Sequence, residues 1–149
     1  MYWVLRRGLL IGVAVVALAV AGSAASAVQP PTKAEGLKFT RTYIYAYTHR
    51  QFRKVCAMAS PAYLQGNSVR KCARQAKRNY DPNAKFWTAL RSGYTITKST
   101  LSGADNTFGY PVWTYTMFFK SGKYRASLVV KLVREHSQLR YLSIASGSA

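Results

Sequence analysis

Side chains that could act as acids or bases are rare in this sequence. It has four acidic residues and two histidines against 22 lysines and arginines. Histidine, aspartate and glutamate are the side chains that most often act as general acids and bases in enzymes. We expect local roles for all six: caps for Glu35 and Asp81, turns for Asp105 and Glu135, and solvent exposure for His49 and His136. Because nucleophile-elbow, phosphate-loop and zinc motifs are also missing, the sequence predicts no catalytic residue, cofactor or metal site.

The two cysteines, Cys56 and Cys72, are the only ones in the chain. A metal site would need partners that the two histidines do not supply, and the spacing excludes a Cys-x-x-Cys redox pair. We therefore predict a structural disulfide that joins two consecutive helices. Closing a loop of this size stabilises a fold by roughly 3 kcal/mol in the chain-entropy model.

The first 27 residues have the layout of a secretory signal peptide. Arg6 and Arg7 precede an apolar run, residues 8 to 21, and a small-residue motif ends at Ala27. An uncleaved membrane anchor over residues 8 to 28 is the alternative, since that length is enough to span a bilayer. Either outcome predicts a secreted or extracytoplasmic protein, in which a disulfide is stable.

The sequence after the leader predicts one domain, in which helices come first and strands follow. We predict a linker over residues 28 to 36, the domain over residues 37 to 146, and a flexible tail over residues 147 to 149. Thr32 and Glu35 have the spacing of a helix capping box, although Gly36 disfavours a helix there. An apolar stripe predicts a first helix that breaks at residues 48 to 51. Shorter helices are predicted over residues 52 to 59, after Ser60-Pro61, and after Ser68.

A fourth signal, Asp81-Pro82, predicts a helix of about ten residues that ends before Gly93. From Tyr94 the apolar period changes to two, which is typical of strands. We predict strands over residues 94 to 101, 112 to 120, 123 to 134 and 138 to 145, with a loop at 102 to 107. The predicted fold class is α+β: N-terminal helices packed on a curved four-stranded antiparallel sheet.

The segment from Phe39 to Tyr63, with its polar break, its cysteine and its Ser-Pro, resembles the nuclear transport factor 2-like superfamily. It is most similar to small secreted or membrane-anchored bacterial members, and Cys72 and the closing strands also match. The resemblance covers residues 37 to 146 and implies a cone-like fold with a pocket at its open end. Members often carry an acid at the helix break, where this chain has Thr48-His49-Arg50-Gln51. Some members are isomerases, cyclases or dehydratases and others only bind partners, so the fold does not select a function.

Six aromatic residues form a first candidate site. They either line a pocket for a flat apolar ligand or fill the core with their hydroxyls at its rim. The set consists of Tyr43, Tyr47, Trp87, Tyr94, Trp113 and Tyr115.

A dense basic set forms the second candidate site, in a chain whose net charge is +18. Its members are Arg70, Lys71, Arg74, Lys77 and Arg78, extended by Arg50, Arg53 and Lys54 on the preceding helix. The positive electrostatic potential of such a set attracts anionic surfaces and polymers, although a run of charged residues is also typical of a solvated face. Proteins that bind nucleic acids interleave basic residues with exposed aromatic residues. We expect the aromatic residues of this chain to lie in the interior. We therefore predict that the basic set binds lipid headgroups or wall polymers, and that it does not bind nucleic acid in a sequence-specific way.

Together these features predict an exported, non-catalytic binding or interaction module at the cell envelope. The alternative is a small-ligand carrier or a pocket enzyme of the isomerase or cyclase type, which requires an acid or a histidine beside the tyrosines. A third interpretation is an accessory subunit of a membrane assembly that keeps its leader as an anchor.

Overall fold

The computed structural model describes residues 28–106 and 109–148, in which helices precede strands. The helices are α1 (Lys33–Thr48), α2 (Phe52–Ala57), α3 (Pro61–Leu64), α4 (Val69–Asn79) and α5 (Lys85–Arg91). The strands are β1 (Thr95–Asp105), β2 (Val112–Ser121), β3 (Tyr124–Glu135) and β4 (Gln138–Ser148). The predicted α+β order is confirmed, whereas the signal peptide lies outside the described residues. Within the described ranges, no helix combines the length and the apolar character needed to cross a membrane.

The four strands form one antiparallel sheet in the order β1-β2-β3-β4, so β1 and β4 are its edges. Gly122 makes the β2–β3 turn with a φ of 58°, a conformation that suits glycine. Alternation along β2 buries one face of the sheet, on which Tyr115, Met117 and Phe119 are almost completely covered. These side chains form the centre of a core that α1 also contributes to.

Helix α1 approaches the sheet closely at a glycine. A Cβ atom at Gly36 would lie 2.6 Å from Cδ2 of Tyr115, closer than van der Waals contact allows. Gly36 weakened the prediction of a helix start here, but α1 includes it, because its missing side chain leaves room for the buried Tyr115 ring. The capping box is formed as well: Thr32 Oγ1 accepts a hydrogen bond from Glu35 N at 3.1 Å, and Thr32 N donates to Glu35 Oε2 at 2.7 Å.

The start of α1 is also tied to the sheet by charge. Arg134, near the end of β3, donates from Nη2 to Glu35 Oε1 at 3.0 Å. The Thr32 backbone N–H and the Arg134 guanidinium hold the pKa of the Glu35 carboxyl below its usual value. Because α1 begins at Lys33, residues 33 to 36 belong to this helix and not to the predicted linker.

Three further predictions need correction. Helix α5 begins at Lys85, because Asp81 Oδ1 accepts a hydrogen bond from Asn83 N at 2.8 Å and forms a turn in place of a helix cap. The loop predicted at residues 102 to 107 is strand as far as Asp105, since its backbone continues to pair with β2. The predicted tail is shorter, because Gly147 and Ser148 pair with β3.

Candidate anion-binding groove

The disulfide between Cys56 and Cys72 is present, with an S–S distance of 2.05 Å, and it joins α2 to α4. The prediction of a structural disulfide is confirmed. A bond of this kind indicates an oxidising, extracytoplasmic location. Around it, Phe52 and Ala73 are buried in a small apolar cluster that is separate from the main core. Helix α4 packs chiefly against α2, so this cluster and the disulfide hold it on the molecule.

Helix α4 is strongly amphipathic. Ser68 caps it by accepting a hydrogen bond from Lys71 N at 3.2 Å, as its sequence position predicts. Its apolar residues face α2, while most of its other side chains are basic and exposed. Like charges one turn apart disfavour an isolated helix. The packing against α2 must therefore outweigh the repulsion along α4.

An open groove of about 510 Å³ lies between α2 and α4. Phe52 and Ala73 lie at its floor, between the two helices. Its cationic lining consists of Arg50, Arg53 and Lys54 before and along α2, and Arg70, Arg74 and Lys77 on α4. We call this feature the α2–α4 groove.

The structure brings together only part of the predicted basic set. Arg70, Arg74 and Lys77 line the α2–α4 groove, whereas Lys71 and Arg78 are exposed on α4 outside its lining. The predicted extension from the preceding helix is also in the lining. The helix break explains the position of Arg50, whose φ of 58° turns the chain between α1 and α2.

The charge of the α2–α4 groove is not neutralised locally. Among the residues that the structure describes, no acid forms an ion pair with any of its six cations. Arg50 lies over the ring of Tyr80 at 5.4 Å, a cation–π contact that leaves its charge in place. Six cations around one concavity create a local potential that favours anions.

The aromatic set is divided by the structure. Tyr43, Tyr47 and Trp87 lie together, with 4.1 Å between the ring centroids of Tyr47 and Trp87. They line a cavity of about 270 Å³ to which Tyr63 and Tyr141 also contribute. Sequence reasoning missed these last two, which come from distant segments of the chain. We call this feature the tyrosine cavity.

The other three predicted aromatics lie outside the lining of the tyrosine cavity. Tyr94 packs against Phe119 with 5.8 Å between ring centroids, and Tyr115 is fully buried against α1. Trp113 is buried near the start of β2. The expectation that the aromatics are interior is wrong for Tyr45, which is 54% exposed, and also for three further exposed residues, Tyr63, Tyr110 and Phe118.

The tyrosine cavity offers little acid–base chemistry. The residues that line it include no acid and no histidine. Burial raises the pKa of the Tyr43 phenol well above its usual value, and the pKa of Tyr141 is raised for the same main reason. Both phenols therefore stay neutral at physiological pH, and neither serves as a base.

The acids and histidines lie at helix caps, turns and the ends of helices and strands. Glu35 and Asp81 make the capping and turn contacts described above. Asp105, which was predicted to lie in a turn, is instead the last residue of β1, and Glu135 ends β3. His49 lies at the end of α1, where its Nδ1 is 2.8 Å from the carbonyl oxygen of Tyr45. In the described part of the chain, no group of acids, histidines and cysteines is arranged to hold a metal ion. Nothing in these positions points to catalysis.

Neither a protein-family model, nor a curated protein sequence, nor a solved structure matches this chain.

Proposed function

We propose that this protein is an exported, non-catalytic binding module whose α2–α4 groove holds an anionic component of the cell envelope. The observation that carries the proposal is the convergence of six cations on one concave surface, none of them seen in an ion pair with an acid of the described residues. A solvated basic face needs no concavity and no apolar floor, and this groove has both. The disulfide keeps its two walls together.

The lining favours closely spaced phosphate groups as the ligand. Four of the six cations are arginines, and the planar guanidinium binds phosphate with two parallel hydrogen bonds. Arg70 and Arg74 are one turn apart, which is roughly 6 Å along the axis of α4. Clustered phosphates occur on acidic lipid surfaces and along phosphate-bearing wall polymers, and both are candidate ligands.

The location of the protein supports an envelope partner. The disulfide requires an oxidising compartment, and the predicted leader provides the route to one. If the leader is cleaved, the basic groove must hold the protein at the envelope. If residues 8 to 28 remain as an anchor, the groove acts next to the membrane surface.

We also propose that the domain has the cone-like fold of the nuclear transport factor 2-like superfamily. The order of helices before a four-stranded meander supports this proposal, as does the contact of α1 with the buried face of the sheet. Ligand carriage in the tyrosine cavity is the less favoured alternative. At about 270 Å³ this cavity falls below the usual range for ligand pockets, roughly 300 to 1,000 Å³.

The proposal is tested by co-sedimentation with phosphatidylcholine vesicles that contain about 30% phosphatidylglycerol, with pure phosphatidylcholine as the control. We expect binding to the acidic vesicles that weakens as NaCl rises from about 50 to about 300 mM. A parallel titration with polyphosphate compares the two sources: binding to polyphosphate but not to acidic vesicles assigns the wall polymer, and binding to acidic vesicles but not to polyphosphate assigns the lipid surface. Equal binding to neutral vesicles, or binding to neither anion, would overturn the proposal.

Neutralising three cations of the α2–α4 groove gives the expected magnitude. Each basic residue near an acidic membrane contributes about 1 kcal/mol. The variant with Arg70→Gln, Arg74→Gln and Lys77→Gln should therefore bind roughly 100-fold more weakly. All three side chains are exposed, so the variant is expected to fold.

A further inference from the structure

A second cleft lies between α1 and α5 and is not used by the proposed function. Its volume is about 460 Å³, and it shares only Lys54 with the lining of the α2–α4 groove. Unlike that groove, it combines cations with an exposed aromatic ring and several hydroxyl groups. We call it the α1–α5 cleft.

The aromatic wall of the α1–α5 cleft consists of Tyr45 and His49, whose rings contact each other. The ring of Tyr45 stacks on the imidazole of His49, with 4.0 Å between centroids and 24° between planes. His49 Nδ1 lies 2.8 Å from the Tyr45 carbonyl oxygen, and because that oxygen only accepts, Nδ1 is the donor. The imidazole is thus fixed against one face of the Tyr45 ring. Tyr45 as a whole residue is nevertheless 54% exposed, so its side chain is accessible to a ligand in the cleft.

Two arginines line the α1–α5 cleft, Arg41 on α1 and Arg91 at the end of α5. The Arg41 guanidinium interacts with the hydroxyl of Tyr94, where it lowers the phenol pKa that burial raises. Arg91 Nη2 donates to the carbonyl oxygen of Pro82 at 3.2 Å. Each guanidinium has five N–H donors, so both keep donors for a ligand. Ile44 and Leu90, both buried, lie beneath them.

We infer that the α1–α5 cleft binds a small anion with a flat aromatic body. The ring of the ligand stacks on Tyr45, and its carboxylate, sulfonate or phosphate accepts hydrogen bonds from Arg41 and Arg91. Offset aromatic stacking favours the ring, and charge-assisted hydrogen bonds favour the acid group. The cleft volume lies within the usual range for small-ligand sites, roughly 300 to 1,000 Å³. This inference does not depend on what the α2–α4 groove binds.

The test uses three probes that separate the two halves of the ligand. 2-Naphthoate has both the ring and the charge, 2-naphthalenemethanol has only the ring, and acetate has only the charge. Each is titrated into the ¹⁵N-labelled protein while backbone amide shifts are recorded. We expect saturable shifts around Tyr45, His49 and Arg91 with 2-naphthoate, and affinity at least about tenfold lower for the other two. Equal responses to 2-naphthoate and acetate, or shifts confined to α4, would overturn the inference.

Three variants test the assignment of residues. Tyr45→Ala, and separately Arg41→Gln with Arg91→Gln, should each weaken 2-naphthoate binding about tenfold, whereas Tyr45→Phe should retain it. Preserved amide dispersion shows that each variant is folded, which the exposure of all three side chains favours. Unchanged affinity in Tyr45→Ala would contradict the site.

A variant of the α2–α4 groove, which we call the groove variant, distinguishes a failure of this inference from a failure of the proposed function. Arg70→Gln with Arg74→Gln and Lys77→Gln should lose vesicle binding and keep wild-type affinity for 2-naphthoate. Loss of 2-naphthoate binding in that variant would place the probe in the α2–α4 groove and refute the inference. The vesicle result would be unaffected by such an outcome.

Discussion

Replacing both cysteines, by Cys56→Ser with Cys72→Ser, tests how the α2–α4 groove is held together. The bond closes a loop with a sequence separation of 16. In the chain-entropy model a loop of that length contributes about 3 kcal/mol at 25 °C. For a domain of this size, 3 kcal/mol corresponds to a fall in Tm of roughly 10 °C. The double variant is used because a single replacement would leave a reactive thiol.

The loss of stability in the double variant should be concentrated in α4. Because α4 packs chiefly against α2 and carries repelling cations, little else holds it once the bond is gone. We expect amides of residues 69 to 79 to lose hydrogen-exchange protection in the variant before those of the sheet. Binding to acidic vesicles should weaken as well, although every cation is still present. Wild-type protein treated with a reductant serves as a control on the unmodified sequence.

The measurements are thermal unfolding by circular dichroism and hydrogen exchange followed by mass spectrometry. A change in unfolding free energy below about 1 kcal/mol would contradict the entropic estimate. Protection of α4 equal to that in the oxidised wild type would show that other contacts hold the helix. Either result would refute the view that the disulfide maintains the groove.

Two further predictions concern α1. Gly36→Ala should destabilise the domain by about 1–3 kcal/mol, because the new Cβ would meet the Tyr115 ring at 2.6 Å. Gly103→Ala, with nothing within 4 Å of its Cβ, is the matched control, and equal denaturation midpoints for the two would contradict the close approach. Glu35→Gln should lower stability by up to about 1 kcal/mol at neutral pH, since it removes the ion pair with Arg134 but keeps the capping oxygen. The pKa of Glu35 is lowered on folding, so its contribution is present above the unfolded-state pKa and is lost as pH falls through the folded-state value. The difference in Tm between Glu35→Gln and wild type should therefore shrink as the pH falls below the usual pKa of a glutamate, and a difference that stays constant into acid would refute this reasoning.

Local sequence signals predicted the parts of the fold that depend on neighbouring residues. Ser60 and Ser68 cap their helices as expected, and α1 ends at the predicted break. The start of α5 was misplaced because Asp81 can satisfy either a helix cap or a turn, and the sequence does not show which contact is formed. The continuation of β1 was missed because strand pairing depends on the partner backbone, whereas side-chain pattern alone suggested a loop.

The candidate sites were only partly predictable. The basic set was visible in the sequence, but its division between groove and outer face depends on how α2 crosses α4. The partners of Tyr43 in the tyrosine cavity, Tyr63 and Tyr141, are brought there by tertiary packing. The exposure of Tyr45 did have a signal: it is two residues from both Tyr43 and Tyr47, which turns it by about 200° to the other side of α1. Treating the aromatics as one interior set hid that signal.

The position of the charges, as distinct from their number, is the central claim. Two variants that lose the same three charges test it: the groove variant, and a control in which exposed lysines near the sheet are changed to glutamine. The control carries Lys98→Gln, Lys120→Gln and Lys123→Gln. Both variants are compared with the wild type for co-sedimentation with vesicles containing about 30% phosphatidylglycerol. Binding reduced roughly 100-fold by the groove changes and much less by the lysine changes would support the α2–α4 groove, whereas equal losses would show that net charge alone attracts the protein.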